Sequence, residues 1–229
     1  MRFTRPTRGA VRLDDMQFDV GAITADVERF EEGDWTTLNY GSAWGQIQVI
    51  KPDGKGGKIE HPKLEASPGL KGIIERFPAK CLDMSLARLG PGGGVGNHRD
   101  ISGGTPMGVA RFHVPVITNP DVKFYVSDNP IYMGPGETWN LDTSYVHRVQ
   151  NQGDIWRVHV IVDFEMNDAL KEMLPKEDWV DRLHRVHFAV ICFVKGIELL
   201  FKNPRMLIER VVRFIRLMVF GQSQLVFDD

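Results

Sequence analysis

The chain of 229 residues and 26.0 kDa has room for one large domain, or one domain with an appendage, but not for two equal domains. Its 42% hydrophobic and 25% charged residues match a globular composition and exclude intrinsic disorder or a low-complexity fibre. A net charge of −2 provides no general basic field, so nucleic acid is not an expected partner. Cys81 and Cys192 lie far apart and read as free thiols in a reducing compartment, which makes a cytoplasmic location the expectation. Arg2, Arg5, Arg8 and Arg12 open the chain with no apolar run behind them, unlike a secretory signal. The most apolar stretch, Val186 to Val194, falls short of the roughly 20 residues that a membrane-crossing helix needs.

Three zones follow in chain order. Residues 1–80 read as an α/β elaboration, with a short helix predicted over 25–32, a strand over 46–51, a turn-rich loop over 51–57 and another helix over 68–77. Trp35, Tyr40 and Trp44 in this zone are candidates for a substrate wall. Residues 81–166 read as the core. Short β-compatible runs over 83–89, 108–118, 122–127, 138–141 and 156–164 are cut by Asn119-Pro120, Asp128-Asn129-Pro130 and Gly134-Pro135-Gly136. Strands so spaced predict a sandwich or barrel, the jelly roll and its metal-binding cupin relatives among the options. Residues 167–229 read as two or three helices, in which Leu207, Ile208, Val211, Val212, Ile215 and Met218 form an apolar stripe clear of Arg210, Arg213 and Arg216. Between 182 and 220 there are eight Lys or Arg against two acidic residues, a net of +6, which leaves −8 for the rest of the chain.

The segment Pro91-Gly-Gly-Gly-Val-Gly-Asn-His98-Arg-Asp100 brings a histidine and a carboxylate two positions apart behind a glycine-rich turn. Residues i and i+2 of a strand share a face, so both can reach one ion if His147 arrives from another strand. Two imidazoles and one carboxylate occupy one face of an octahedral ion and leave positions open, the donor set of non-haem ferrous oxygenases. Arg157 lies on an apolar run, where burial of an unpaired guanidinium is unfavourable, so it should hold an anion. The rival readings are core or surface histidines, a turn-capping Asp100, and an ion pair of Arg157 with Asp142 or Asp163. The glycine run lacks the Gly-Lys-Ser/Thr ending of a phosphate loop, and His98-Arg99-Asp100 lacks the other elements of a kinase.

From Leu86 to Phe164 the chain resembles the aspartyl/asparaginyl β-hydroxylase family of Fe(II)/2-oxoglutarate-dependent oxygenases, and is similar to their small-molecule, cis-proline-hydroxylase-like members. The resemblance is carried by Leu89-x-Pro91-Gly92 before His98, Arg111-x-His113-x-Pro115, Gly134-x-Gly136-Glu137, Leu141-Asp142-x-Ser144 before His147, and Arg157 before Val162-Asp163. It implies a mainly β fold, a double-stranded β-helix (jelly-roll, cupin-like) core, to which the residue pattern after Asp168 adds a helical C-terminal appendage; the first 80 and last 60 residues match no motif of the family. It further implies Fe(II) on His98, Asp100 and His147 as the catalytic centre, with 2-oxoglutarate and O2 as co-substrates. Arg157 then grips the distal carboxylate of 2-oxoglutarate, and Arg111 and His113 match positions near its other end. Ala87 departs from the serine of the animal peptide hydroxylases, whereas Asp100 supplies the carboxylate they lack, which leans the substrate toward small molecules.

The expected activity is hydroxylation of an unactivated C–H in an amino acid, peptide, or lipid- or carbohydrate-linked substrate, with release of succinate and CO2. The rival from another class is a cupin-like metal or small-ligand binder. For the C-terminal helices, docking of their apolar stripe on the barrel or a second subunit is preferred to peripheral contact with anionic lipid. His159 is expected to be supporting, and His61, His184 and His187 receive no role.

Overall fold

A computed structural model of the chain describes residues 1–37, 43–100 and 104–202. The N-terminal part supplies β1 (Phe3–Thr7), β2 (Ala10–Gln17), α1 (Val20–Val27), β3 (Thr36–Thr37), β4 (Trp44–Pro52), β5 (Lys58–Glu60) and α2 (Pro68–Glu75). Eight strands follow: β6 (Cys81–Leu89), β7 (Gly94–His98), β8 (Val109–Ile117), β9 (Val122–Val126), β10 (Asn129–Ile131), β11 (Glu137–Leu141), β12 (His147–Asn151) and β13 (Arg157–Glu165). Two helices complete the described residues, α3 (Asp168–Met173) and α4 (Trp179–Lys202). The apolar stripe expected from Leu207 to Met218 lies outside the described residues.

Among the described residues the strands form two antiparallel sheets. The larger runs β1-β2-β11-β8-β13-β6-β4-β3, with β5 also on β4, and the smaller runs β10-β9-β12-β7. The chain from β6 to β13 passes repeatedly between the sheets, with β6, β8, β11 and β13 in the larger and β7, β9, β10 and β12 in the smaller. This is the double-stranded β-helix expected from the sequence. The N-terminal strands extend the larger sheet at both sides, β2 on β11 and β4 on β6.

Period-2 alternation decides what each face of the larger sheet meets. On β13, Val158, Val160, Val162 and Phe164 join the core beneath α1 and α2, where Phe77 packs against Phe112 and Phe164 with ring centroids 4.4 and 4.5 Å away. Each such side chain, fully buried, contributes about 1.5–3 kcal/mol. The alternate residues Arg157, His159 and Asp163 belong to the opposite face, toward the smaller sheet. There a second core, including Leu89, Val95, Phe124, Val126, Trp139 and Val149, fills the space between the sheets.

Local signals explain several element ends. The Asp19 side chain accepts from the Gly21 and Ala22 amides at 2.9 and 3.3 Å, so α1 starts at Val20, five residues before the predicted helix. Buried Asp26 in turn accepts from the Leu70 amide at 2.9 Å and thereby ties α1 to the first turn of α2. Asn167 caps α3 through the Leu170 amide at 2.8 Å. Gly9, with φ +83°, makes the β1–β2 turn against Tyr145, whose Cδ2 would lie 2.7 Å from a Cβ at position 9.

Candidate functional site

His98 ends β7 and His147 begins β12, and the two are direct partners in the β7–β12 pairing. Their ring centroids are 4.0 Å apart. The His98 Nδ1 lies 2.8 Å from the Gly96 carbonyl and the His147 Nδ1 lies 3.1 Å from the Tyr145 carbonyl. A carbonyl only accepts, so each Nδ1 carries the proton, and in the neutral ring Nε2 presents its lone pair. Both Nε2 atoms face Asp100, at 3.8 Å from Oδ1 for His98 and 4.0 Å from Oδ2 for His147. The ligand atoms of the three residues lie within 4.8 Å of one another, an arrangement that could hold a metal ion.

Asp100 does not reach this point by strand alternation, as the spacing suggested. The strand stops at His98, and Asp100 sits beyond it with its amide bonded to the Thr143 carbonyl at 3.0 Å. Its Oδ2 accepts from Arg111 Nη1 at 2.5 Å, while Arg111 Nε and Nη2 each donate to Asp163 at 2.8 Å. Burial acts against the charge of Arg111, but Asp163 and Asp100 outweigh it and raise its pKa. Arg111 is therefore engaged by two carboxylates and positions Asp100, and Asp163 pairs with Arg111 instead of Arg157.

In register, Asp163 faces Arg111 on one side and Asp83 on the other, a polar row across β8, β13 and β6. Directly opposed carboxylates repel. Burial and the Asp163 charge push Asp83 up to about 6, against the hydrogen bond from Gln48 Nε2 at 2.7 Å. Neither Asp83 nor Gln48 carried a motif that sequence reasoning could use.

Deeper between the sheets, Arg157 is 1% exposed. Its Nη2 lies 2.7 Å from His159 Nδ1, and its Nε has no hydrogen-bond partner. A guanidinium only donates, so His159 Nδ1 accepts and its proton sits on Nε2, which also lacks a partner. His113, whose ring is 5.9 Å from that of His159, has neither nitrogen bonded. Burial lowers the Arg157 pKa to about 9. Burial first, and then the Arg157 charge, hold His113 and His159 well below the usual imidazole value. Among the described residues no carboxylate pairs with Arg157. Buried groups left this way are unfavourable until something bonds them, and a cation with adjacent imidazole N–H donors selects an anion. In register with His159 stands buried Ala87, so no hydroxyl assists there.

His184 was assigned no role from the sequence, yet it joins the site to the C-terminal helix. Its Nε2 is 2.9 Å from Ser144 Oγ, and its ring stacks on Tyr145 with centroids 3.6 Å apart. Tyr145 is the residue whose carbonyl holds His147, and the Ser144 carbonyl accepts from Arg99. Arg5 and Arg8 fasten the same helix end through Asp181 and Asp178 at 2.6–2.9 Å. Of the proposed substrate-wall aromatics, Trp35 stacks on Arg88, which also lies over Trp156, and Trp44 packs on the inter-sheet core. Tyr40 lies outside the described residues. His61 accepts from the Lys63 amide and starts a 3-10 turn, remote in role from the site.

Among solved structures, the chain is similar to an oxidoreductase of the 2OG-Fe(II) oxygenase family from Burkholderia pseudomallei. The TM-score is 0.52 at 14% identity, covering 70% of this chain and 86% of that one. It is also similar to SnoN, a non-heme alpha ketoglutarate dependent epimerase of nogalamycin biosynthesis, at a TM-score of 0.50 and 9% identity, covering 69% and 78%. At such identities these likenesses speak for the fold. No curated protein matches the chain. The sequence pattern of the aspartyl/asparaginyl beta-hydroxylase family matches residues 14–167, which span the larger sheet from β2 onward, both sheets of the core, and His98, Asp100, His147 and Arg157. The chain belongs to the aspartyl/asparaginyl beta-hydroxylase family.

Proposed function

We propose that the protein is an Fe(II)/2-oxoglutarate-dependent dioxygenase that hydroxylates an unactivated C–H of an amino acid, peptide, or lipid- or carbohydrate-linked substrate. The observation that carries this reading is a pair of sites side by side. Two imidazole Nε2 atoms and a carboxylate converge at one, and a buried, unpaired guanidinium waits for an anion between the same sheets. His98, Asp100 and His147 hold the ion, and Arg111 keeps the Asp100 carboxylate aimed at it. Arg157 takes the distal carboxylate of 2-oxoglutarate, with the N–H groups of His113 and His159 available to the same anion. Phe124 and Leu89 of the inter-sheet core exclude water around these groups. A ferrous ion bound there, with 2-oxoglutarate and O2, supplies oxidation in which one oxygen atom enters the C–H bond and the other enters succinate, with loss of CO2.

The test is succinate formation from 2-oxoglutarate with added Fe(II), alongside anaerobic Fe(II) titration of the same protein. His98→Ala should abolish both succinate formation and Fe(II) binding. Arg157→Ala should retain the metal and lose 2-oxoglutarate affinity. Succinate formation indifferent to both substitutions would reject the assignment, and metal binding without any turnover over a broad substrate screen would favour the cupin-like binder.

A further inference from the structure

On the strength of the oxygenase reading, we propose that Asp83, with the Ser85 hydroxyl next along the same face of β6, binds a positively charged nitrogen of the substrate. The molecule hydroxylated then carries an ammonium or guanidinium group. Alternation on β6 sends Met84 and Leu86 into the core beneath α1 and α2 and turns Asp83, Ser85 and Ala87 toward the smaller sheet. On β4, Ile47 and Val49 take the core side, which puts Gln46 and Gln48 on that same inner face. Gln48 stands in register with Ser85, and Asp83 with Asp163, so these side chains adjoin the Arg111–Asp100 pair of the metal-ligand loop. β13 carries Arg157 at one end and Asp163 toward the other, which places this row and the co-substrate's anion anchor at opposite ends of the groove. Two strand spacings of about 4.8 Å separate Asp83 from Arg111, so a cation held at Asp83 brings a carbon several bonds away within reach of the metal centre.

Asp83 is the carboxylate of this row that no cation neutralises. Both oxygens of Asp163 accept from Arg111, and Asp100 accepts from the same guanidinium. Among the described residues Asp83 has no ion pair. Its Oδ2 takes the Gln48 amide at 2.7 Å, and the same Gln48 Nε2 is fixed by the Ile50 carbonyl at 2.6 Å, while no hydrogen bond reaches Asp83 Oδ1. Ser85 is 4% exposed, and its hydroxyl is bonded to no described residue. A carboxylate oxygen and a buried hydroxyl left open together are acceptors without a donor, and only a charged donor also compensates the carboxylate. Burial and the facing Asp163 push the Asp83 carboxyl up to about 6, and an entering cation relieves that repulsion. A second metal ion is a poor occupant, because among the described residues only His98, Asp100 and His147 form a group of three ligands. Asp83 is half-buried where Arg157 is fully enclosed, so a substrate can reach it from solvent.

The probe is n-butylammonium chloride, read by thermal melting of the full chain without iron. Sodium chloride at equal ionic strength and butan-1-ol, similar in shape but uncharged, are the controls. Wild type should be stabilised by butylammonium alone, with a shift that saturates. In Asp83→Asn the half-saturating concentration should rise about tenfold or more, and in Ser85→Ala by less. Both substitutions nearly keep the side-chain volume, and the melting temperature without probe reports the fold of each variant directly. No shift in wild type, an equal shift with butan-1-ol, or an undiminished shift in Asp83→Asn would overturn the proposal. Because iron and 2-oxoglutarate are absent, these outcomes do not depend on turnover, and the oxygenase reading fails separately, through the Fe(II) and Arg157 measurements. Substrates found in a screen for gain of one oxygen atom should be cations whose kcat/KM falls about tenfold or more in Asp83→Asn, chiefly through KM. Hydroxylation of an uncharged substrate with the same kcat/KM in wild type and Asp83→Asn would also overturn it.

Discussion

Replacing Arg157 with Met should make the protein more stable and at the same time blind to 2-oxoglutarate. The Arg157 pKa falls from 12.5 to about 9 because the guanidinium is buried without a carboxylate. At about 1.4 kcal/mol per pKa unit, keeping the charge in place opposes folding by roughly 3–5 kcal/mol. Methionine fills much of the same volume, and what is lost is the Arg157–His159 hydrogen bond at 2.7 Å, which contributes about 1–2 kcal/mol. The net expectation is a gain of roughly 1–4 kcal/mol, or a rise of about 2–16 °C in Tm for a domain of this size. The sign with pH follows from the depressed value. The unfolded chain keeps its proton up to about pH 12, whereas the folded one releases it near 9. The opposing contribution is therefore complete below pH 9 and shrinks as pH rises above it, so the advantage of the variant should narrow there. In wild type loaded with metal, 2-oxoglutarate at about 100 times its Kd should add roughly 2.7 kcal/mol to stability, and in the variant it should add almost nothing. Calorimetric melting with and without the co-substrate measures both. A variant that melts below wild type yet keeps the full shift on adding 2-oxoglutarate would refute both the unpaired cation and its role as the anion anchor.

Two further outcomes follow from groups that no motif marks. His184→Ala removes the bond to Ser144 and the ring on Tyr145, whose carbonyl orients His147. Fe(II) affinity in an anaerobic titration should fall up to about tenfold, with partial recovery in His184→Gln, whose amide can still bond Ser144. Equal affinity in all three proteins would show that α4 does not act on the loop. Asp83→Asn should stabilise the fold at neutral pH and not in acid. The carboxyl is raised from 3.8 to about 6, so the penalty is absent below the lower value, grows through that window and is complete above pH 6. Partial solvent contact keeps it to about 1–3 kcal/mol, and a melting difference between variant and wild type that is constant from about pH 4 to pH 7 would contradict the Asp83–Asp163 opposition.

The strands that carry chemistry were readable because alternation is a local property. Arg157-Val-His-Val-Ile-Val reveals a strand with one apolar face, and the ordered series of short motifs from Leu89 to Asp163 pointed to a jelly-roll oxygenase core before any coordinates. The candidate ligand types were readable as well, since a histidine and an aspartate behind a glycine turn, with a second histidine downstream, limit the ions they could bind. Partners across the sheets were not readable. That Arg111 takes Asp163 and Asp100, leaving Arg157 without a carboxylate, depends on which strands become neighbours. That Asp100 is placed by the Thr143 carbonyl and not by the pleat depends on where β7 stops. His184 looked idle because its partner Ser144 is forty positions away and meets it only when α4 returns to the barrel. Composition and short-range spacing thus determined the fold class and the candidate ligands. Which cation stays unpaired and which loop orients each ligand were decided by packing, because each follows from contacts between segments distant in the chain.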